Sequence, residues 1–492
     1  MTETAKKKRG MPSSFTILLA LLAIVAVITV IVSGTSGGAV TAARLSDFCT
    51  APITGCADAL PVCLFVMILG GFLGMMTETG ALDNGIAVLV QKLKGNEIML
   101  IPVLMLIFSL GGTTYGMCEE TVPFYALLAA TMMAAGFDPM VGAATVLLGA
   151  GCGCLGSTVN PFAVGAAVDA LTGVDIAVNQ SIIIGLGAVL WIVTTAMSIV
   201  FVMNYAKKVK ADKGSTILSM QELKAAEEAH GKAASEVHKE VKLTGRQKGV
   251  LIAFAFTFVV MIVGFIPLAD LNEGVANFFD AGAVYDADGN AVVQGWSALI
   301  TGLPIGQWYF DEASTWFFLM AILIGIIGGL SEKQIVNTFI TGAADMMSVV
   351  LVIALARGIS VLMANTGLDV YVLDAAANAL AGLSGVIFAP MSFLVYFGLS
   401  FLIPSTSGMA TVSMPIMGPL AVKLGFSPEV MVMIFSAAIG VVNLFTPTSG
   451  AIMGGRALAK IEWTTWLKFA LMLSVALSVV CAVSLTVACV LL

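Results

Sequence analysis

The sequence predicts an all-α polytopic membrane protein, built as two inverted repeats with re-entrant helical hairpins and broken transmembrane helices. Three observations carry this. The first is composition: 59% of the 492 residues are apolar, 11% are charged, and the mean hydropathy is +1.01. Soluble domains are typically ~45–50% apolar and ~25% charged. The second is a series of long uncharged runs. The third is a set of paired motifs recurring in order. Disorder, collagen and a disulfide-stapled mini-protein are excluded, and the 23 Lys and Arg form no basic face for nucleic acid.

A helix needs ~20 mostly apolar residues to cross a bilayer, and lipid admits only spans that satisfy their own backbone. Residues 15–32, 181–203, 249–269, 315–331 and 469–492 are such runs. A β-barrel would show ~10-residue alternating segments instead. Lys6-Lys7-Lys8-Arg9 before the first run resembles a secretory signal, but 18 apolar residues exceed a signal core of ~7–15, so a retained first helix is expected.

Lys and Arg set the orientation. With residues 1–14 in the cytoplasm, 20 of the 23 fall on that side, in 6–9, 92–94, 206–248, 333 and 456–468. Arg44 and Lys423 fall outside, and Arg357 inside a span. The external segment 268–314 has no Lys or Arg but seven acids. The C-terminus is then external. The cytoplasmic linker 206–248 separates the halves, 15–205 and 249–492, the second with an extra leading helix. Its stretch 220–242 reads as a solvated helix. Both histidines, His230 and His238, lie there, away from any buried proton relay.

The repeat is explicit. Gly116-Met117, Pro123, Gly136-Phe137-x-Pro139 and Ser157-Thr158-Val159-Asn160-Pro161 match Gly408-Met409, Pro415, Gly425-Phe426-x-Pro428 and Thr446-Pro447-Thr448-Ser449-Gly450. Thr79-Gly80 matches Thr366-Gly367. The first arm of 98–137, taken as 98–110, spans only ~20 Å at ~1.5 Å per residue, so a hairpin is expected that enters and leaves on one side. Its counterpart is 386–424. The next element in each half is expected to be broken, at 155–161 and 443–450. Nine crossings and two hairpins result. Inverted repeats with interrupted helices mark a secondary transporter with a midplane substrate site.

The chemistry is expected where four interruptions converge. The first tip offers Thr113, Thr114, Tyr115 and Gly116, followed by Glu119 and Glu120. The first break offers Ser157, Thr158 and Asn160. The second tip offers Ser405, Thr406, Ser407 and Gly408, and the second break Thr446, Thr448 and Ser449. Half-helix N-termini suit a carboxylate, while unwound carbonyls and hydroxyls suit a small cation. The structural alternative, that these groups only heal broken backbone, applies to some of them. Charge deep in a span marks function, which singles out Glu119, Glu120 and Arg357. A Glu–Arg structural pair competes with direct substrate contact. Two carboxylates and one guanidinium leave an excess negative charge, which a proton, a metal ion or a cationic substrate would balance.

Other signals are weaker. Gly151-x-Gly153-x-x-Gly156 fits a dinucleotide fingerprint but lies within a span, where close helix packing explains it better. Cys152-x-Cys154 lacks partners for zinc. Cys49 and Cys56, in one outer loop, are the one candidate disulfide pair. A membrane enzyme or receptor is disfavoured by the missing soluble domain and the missing His or Cys constellation.

The run Gly111-Gly112-Thr113-Thr114-Tyr115-Gly116-Met117-Cys118-Glu119-Glu120-Thr121-Val122-Pro123-Phe124, with Ser157–Pro161 and Ala356-Arg357-Gly358-Ile359, resembles the YfcC-type branch of the four-carbon dicarboxylate anaerobic carrier family, within the ion transporter superfamily. Pro404–Gly408 and Thr446–Gly450 are similar to the superfamily's tip and broken-helix signatures. The resemblance implies an elevator-type carrier, usually a homodimer, in a bacterial-type inner membrane. Its substrate is then a cationic amino acid, exchanged in the manner of arginine/ornithine antiporters, or a carboxylate such as a C4-dicarboxylate coupled to Na+ or H+. No other cofactor is implied. Na+ sites would map near Thr113, Asn160, Ser405 and Thr448, although Gly-Thr-Thr and Ser-Thr-Ser stand where the superfamily has Ser-Asn-Thr.

Overall fold

The computed structural model describes residues 14–82, 84–85, 88, 96–118, 121–236, 242–266, 268–271, 273–286 and 291–492. They are almost entirely helical. The exception is a small ribbon in the acidic segment, Val284–Tyr285 paired antiparallel with Ala291–Val293. Among the described residues, eight helices are long and apolar enough to cross a membrane. The expected runs become Phe15–Ser33, Gln180–Ala211, Gly245–Phe265, Phe310–Gly328 and Trp463–Leu491; Leu60–Glu78, Glu97–Tyr115 and Met347–Thr366 complete the set.

Two buried helices form the centre. Pro139–Leu155 and Pro428–Val442 are buried along nearly their whole length. Each begins with Pro at N1, whose missing N–H costs nothing there. Each also has a side-chain N-cap: Asp138 accepts from the Val141 amide, and Ser427 from the Val430 amide. The helices cross with reciprocal contacts. A Cβ on Gly151 would fall 2.3 Å from Leu444 Cδ2, and one on Gly440 would fall 2.5 Å from Leu155 Cα. Gly151 corresponds to Gly440 and Leu155 to Leu444 under the repeat. Contacts in which i meets j′ and j meets i′ are what a two-fold relation produces.

A second reciprocal crossing lies in the flanking helices. Leu45–Asp58 packs on Met347–Thr366, and Glu332–Asp345 packs on Leu60–Glu78. A Cβ on Gly55 would sit 2.3 Å from the Gly358 amide nitrogen, and one on Gly342 would sit 2.4 Å from the Gly70 carbonyl oxygen. Backbone meets backbone at both. The Thr79–Thr366 correspondence relates Gly55 to Gly342.

The glycine run in Pro139–Leu155 is likewise a packing device, as expected. Gly112 and Gly153 face one another across the two helices, with a Cβ on either meeting carbonyl oxygen at 2.2 and 2.1 Å. This contact corrects the length of the first hairpin's inbound arm. Gly111 to Tyr115 stay helical, with Gly112 pressed against 150–154, so the helix runs Leu100–Tyr115 behind a turn at Glu97–Met99. Nineteen residues reach ~28 Å, so length no longer separates a re-entrant arm from a crossing one. The second hairpin consists of Gly385–Leu402 and Thr406–Lys423. Cys49 and Cys56 are free thiols two turns apart on Leu45–Asp58, not a disulfide.

The linker departs from expectation. Its helix, Met220–Glu236, packs on Val122–Ala134 rather than standing in solvent. Glu222, Ala226 and His230, spaced i, i+4, i+8, are buried. Glu222 Oε1 accepts from the Glu462 amide at 2.9 Å. His230 Nε2 lies 3.0 Å from the Leu458 carbonyl oxygen, so the ring carries a proton on Nε2. Upstream, the Tyr205 and Thr216 hydroxyls donate to Asp138 Oδ2 at 2.6 and 2.7 Å. His238 lies outside the described residues.

Two outcomes follow from this packing. Gly153→Ala should cost ~1–3 kcal/mol through overpacking, read as a lower unfolding temperature in detergent. Gly185→Ala, whose Cβ meets open space, should change nothing. Burial, with Lys460 nearby, holds the His230 pKa below the ordinary 6.5 despite its bond to Leu458. The undocked linker therefore binds the extra proton, and docking weakens as pH falls below about 6.5. Hydrogen exchange across 220–236, corrected for chemical rate, should be faster at about pH 5.5 than at about pH 7.5, and His230→Gln should abolish the difference.

Candidate functional site

A cavity of about 350 Å³ opens at the centre of the molecule. All four interruptions border it. Gly116 closes the first inbound arm, Asn160 stands in the first break, Ser405 to Ser407 form the second tip, and Thr448 and Ser449 lie in the second break. Arg357 enters from Met347–Thr366. Convergence follows from the central crossing, since the breaks sit just past Leu155 and Val442, where the two buried helices meet.

Local sequence shapes each wall. Gly116 has φ +79°, and a Cβ there would fall 2.5 Å from Asn160 Oδ1, so only glycine fits. Asn160 holds the first break: its Oδ1 accepts from the Phe162 amide at 2.9 Å, and its Nδ2 donates to Ser157 Oγ at 2.9 Å. In the second half, Ser405 and Ser449 are N-caps, with Ser405 Oγ accepting from the Gly408 amide at 3.1 Å. The positive ends of Thr406–Lys423 and Gly450–Leu458 thus face the cavity. Phe162 and Phe310 stack at 5.2 Å to form an apolar wall.

The remaining predicted hydroxyls serve the backbone. Thr113 Oγ1 donates to the Gly156 carbonyl at 2.6 Å, and Thr158 Oγ1 to the Thr113 carbonyl at 3.0 Å. Ser157 bonds the Cys154 carbonyl, Thr114 the Leu110 carbonyl, and Thr446 Oγ1 accepts from the Thr448 amide. Tyr115 is buried and stacks on Phe265. Trp463 and Trp466 give their indole N–H groups to the Phe445 and Leu444 carbonyls, healing the second break. Of the oxygen donors suggested for Na+, Asn160, Ser405 and Thr448 border the cavity. Among the described residues no cluster of three His, Cys, Asp or Glu is placed to hold a metal. Glu119 and Glu120 lie outside the described residues.

The structure adds a charge that sequence reasoning left in an outer loop. Asp58 Oδ2 forms an ion pair with Arg357 Nε. Both line the cavity, with side chains 46% and 30% exposed. Asp58 is the last residue of its helix, where the dipole disfavours an acid; Arg357 offsets that. The Gly55–Gly358 contact, three residues from one partner and one from the other, brings them together. The sequence signal was an acid ending a short apolar stretch directly before a span. Asn443 also lines the cavity, at the C-cap of Pro428–Val442.

Replacing Thr113 with Val leaves the Gly156 carbonyl without its donor in a buried site. The expected cost is ~1–3 kcal/mol, seen as a lower unfolding temperature in detergent. Thr114→Val, at an exposed bond within its own helix, should stay within error.

Comparison with known proteins gives the family. Residues 39–490 match the model of the C4-dicarboxylate anaerobic carrier family. Relatives include an uncharacterized protein from Haemophilus influenzae, 28% identical over 86% of this chain and 74% of its own. A second, from Escherichia coli K12, is named "Putative basic amino acid antiporter YfcC" and is 28% identical over 83% of this chain and 74% of its own. Solved structures with similarity include MtrF of Neisseria gonorrhoeae, described with a class of antimetabolite efflux pumps, at TM-score 0.43 and 17% identity over 97% and 95% of the two chains. The YdaH transporter of Alcanivorax borkumensis has TM-score 0.46 and 15% identity over 97% and 98%. With a family match across nearly its whole length, a helical membrane architecture and a polar cavity where helices break, the chain is a membrane transporter belonging to the C4-dicarboxylate anaerobic carrier family.

Proposed function

We propose that this transporter exchanges basic amino acids, of the arginine/ornithine type, by an elevator mechanism. The observation that carries the reading is the meeting of the second-tip helix N-terminus with the Asp58–Arg357 pair in one cavity. Dipole-charged N–H groups receive a carboxylate, and a carboxylate side chain receives a cation. The name given to the E. coli relative agrees with this. Glu119 or Glu120 is proposed to meet the cationic end of the substrate. The cavity residues Gly116, Asn160, Ser405, Thr406, Ser407, Thr448 and Ser449 are proposed to line its path.

In the elevator reading, two re-entrant hairpins and two broken helices carry the cavity across the bilayer. The tight glycine contacts between Pro139–Leu155 and Pro428–Val442 support movement of these elements as one body. A homodimer in a bacterial inner membrane, with nine crossings, a cytoplasmic N-terminus and an external C-terminus, completes the proposal. The second reading is a carboxylate or C4-dicarboxylate carrier coupled to Na+ or H+, with Arg357 on the anion. Arg357 beside a positive helix end favours it, as does the family description.

Counterflow in proteoliposomes decides between them. Vesicles loaded with unlabelled ornithine should accumulate trace labelled arginine, while vesicles loaded with succinate should not. Exchange driven only by succinate would replace the first reading with the second.

A further inference from the structure

We infer that Asp58 is the specificity residue of the cavity. It reads the α-ammonium of an amino acid and excludes dicarboxylates by neutralising Arg357. This deepens the amino-acid reading and rests on it, because it assigns the whole zwitterionic head group to one pair of side chains and one helix end.

Three observations lead there. The pair is not needed to build its crossing. The repeat supplies the same helix crossing twice, once at Gly55–Gly358 and once at Gly342–Gly70. In the second copy Gly70 stands where Arg357 would be, and the Asp58 counterpart, Asp345, is exposed. One crossing therefore packs without an ion pair, so the pair in the other is an addition. The next observation is where the pair lies. A half-exposed Asp and a partly exposed Arg border a central cavity, and among the described residues Asp58 is the guanidinium's one ion-pair partner, through Nε. The outer edge of the guanidinium remains for a ligand.

The last observation is the neighbour of that edge. A Cβ on Gly408 would lie 3.9 Å from Arg357 Nη1, so the guanidinium adjoins the N-terminus of Thr406–Lys423. The first N–H groups of a helix lack intrahelical acceptors. Here Ser405 Oγ takes the Gly408 amide, and among the described residues the amides of Thr406 and Ser407 have no acceptor. Two positive features side by side define a site for one carboxylate. Asp58 then stands one ion-pair distance beyond it.

An α-amino acid carries its ammonium next to its carboxylate, so the head group can bridge carboxylate to Arg357 and the tip, and ammonium to Asp58. A dicarboxylate would bring two negative charges to a guanidinium already neutralised by Asp58. Like charges at close range cost more than the one cation returns. Discrimination of this kind combines an attraction to one ligand with a repulsion of the other.

The test is equilibrium binding of labelled arginine and labelled succinate to the purified full-length protein in lipid nanodiscs. Wild type should bind arginine and not succinate. D58N should lose arginine affinity by roughly tenfold or more and gain measurable succinate binding, because Arg357 is released. R357Q should bind neither. Arginine affinity in D58N within twofold of wild type overturns the inference, as does D58N that binds no succinate. If wild type binds no arginine while D58N gains succinate, the charge filter stands and the basic amino-acid reading falls. A D58N protein that fails to elute as a folded species leaves the wild type to decide. Arginine methyl ester and Nα-acetylarginine should both fail to displace labelled arginine, and displacement by Nα-acetylarginine at wild-type strength would remove the ammonium site from Asp58.

Discussion

Four helix interruptions in a membrane transporter expose N–H and C=O groups that lipid could not partner. That constraint organises the rest of the molecule. The interruptions can exist only if protein surrounds them, so they converge, and convergence leaves a polar cavity. The surrounding protein must also come very close. Glycines meet backbone at both crossings of the repeat and along the first inbound arm, because any side chain would hold the broken ends away from their partners.

The polar residues at the breaks divide by task. Those facing backbone, such as Thr113, Thr158 and Ser157, give their hydroxyls to carbonyls that the helix has abandoned. In the second half indoles of the last helix do the same work. Those facing the cavity are capping serines and the asparagine of the first break. Caps leave a helix end satisfied in part and charged in part, which suits a site that must hold a ligand and then release it. The two tasks need each other, because a helix N-terminus offers a stable dipole only where its neighbouring carbonyls are already occupied.

The repeat and the charges obey different rules. Packing is two-fold at the crossings: Gly151 on Leu444 has its partner in Gly440 on Leu155, and Gly55 on Gly358 in Gly342 on Gly70. The ion pair is not, since Arg357 has glycine as its counterpart. A symmetric scaffold with an asymmetric pair keeps the architecture independent of the ligand chemistry. The linker helix is similarly asymmetric. It ties the first hairpin's outbound arm to the end of the second broken helix through Glu222 and His230, so the two halves are joined on one face by more than the chain itself.

Much of this was legible in the residues. Apolar runs required membrane helices, because length and hydropathy are local properties. The paired motifs required a repeat, and hydroxyls with Gly and Pro inside apolar stretches required breaks, because broken backbone needs small and polar residues wherever it falls. The sequence by itself thus determined the helical class, the repeat and the location of the four interruptions. The tertiary structure decided which partner each group has. Asp58 and Arg357 are 299 positions apart, and the packing of their two helices around Gly55 and Gly358 joins them. Thr113 read as a site residue until the Gly156 carbonyl arrived beside it. The inbound arm read as short because glycines break isolated helices, but packing of Gly112 on 150–154 accompanies a helix that runs on to Tyr115. The linker helix read as solvated because it is mostly polar, yet three buried positions on one face suffice to dock it. Each of these turns on a contact between residues far apart in the chain, and local pattern carries no record of such distances.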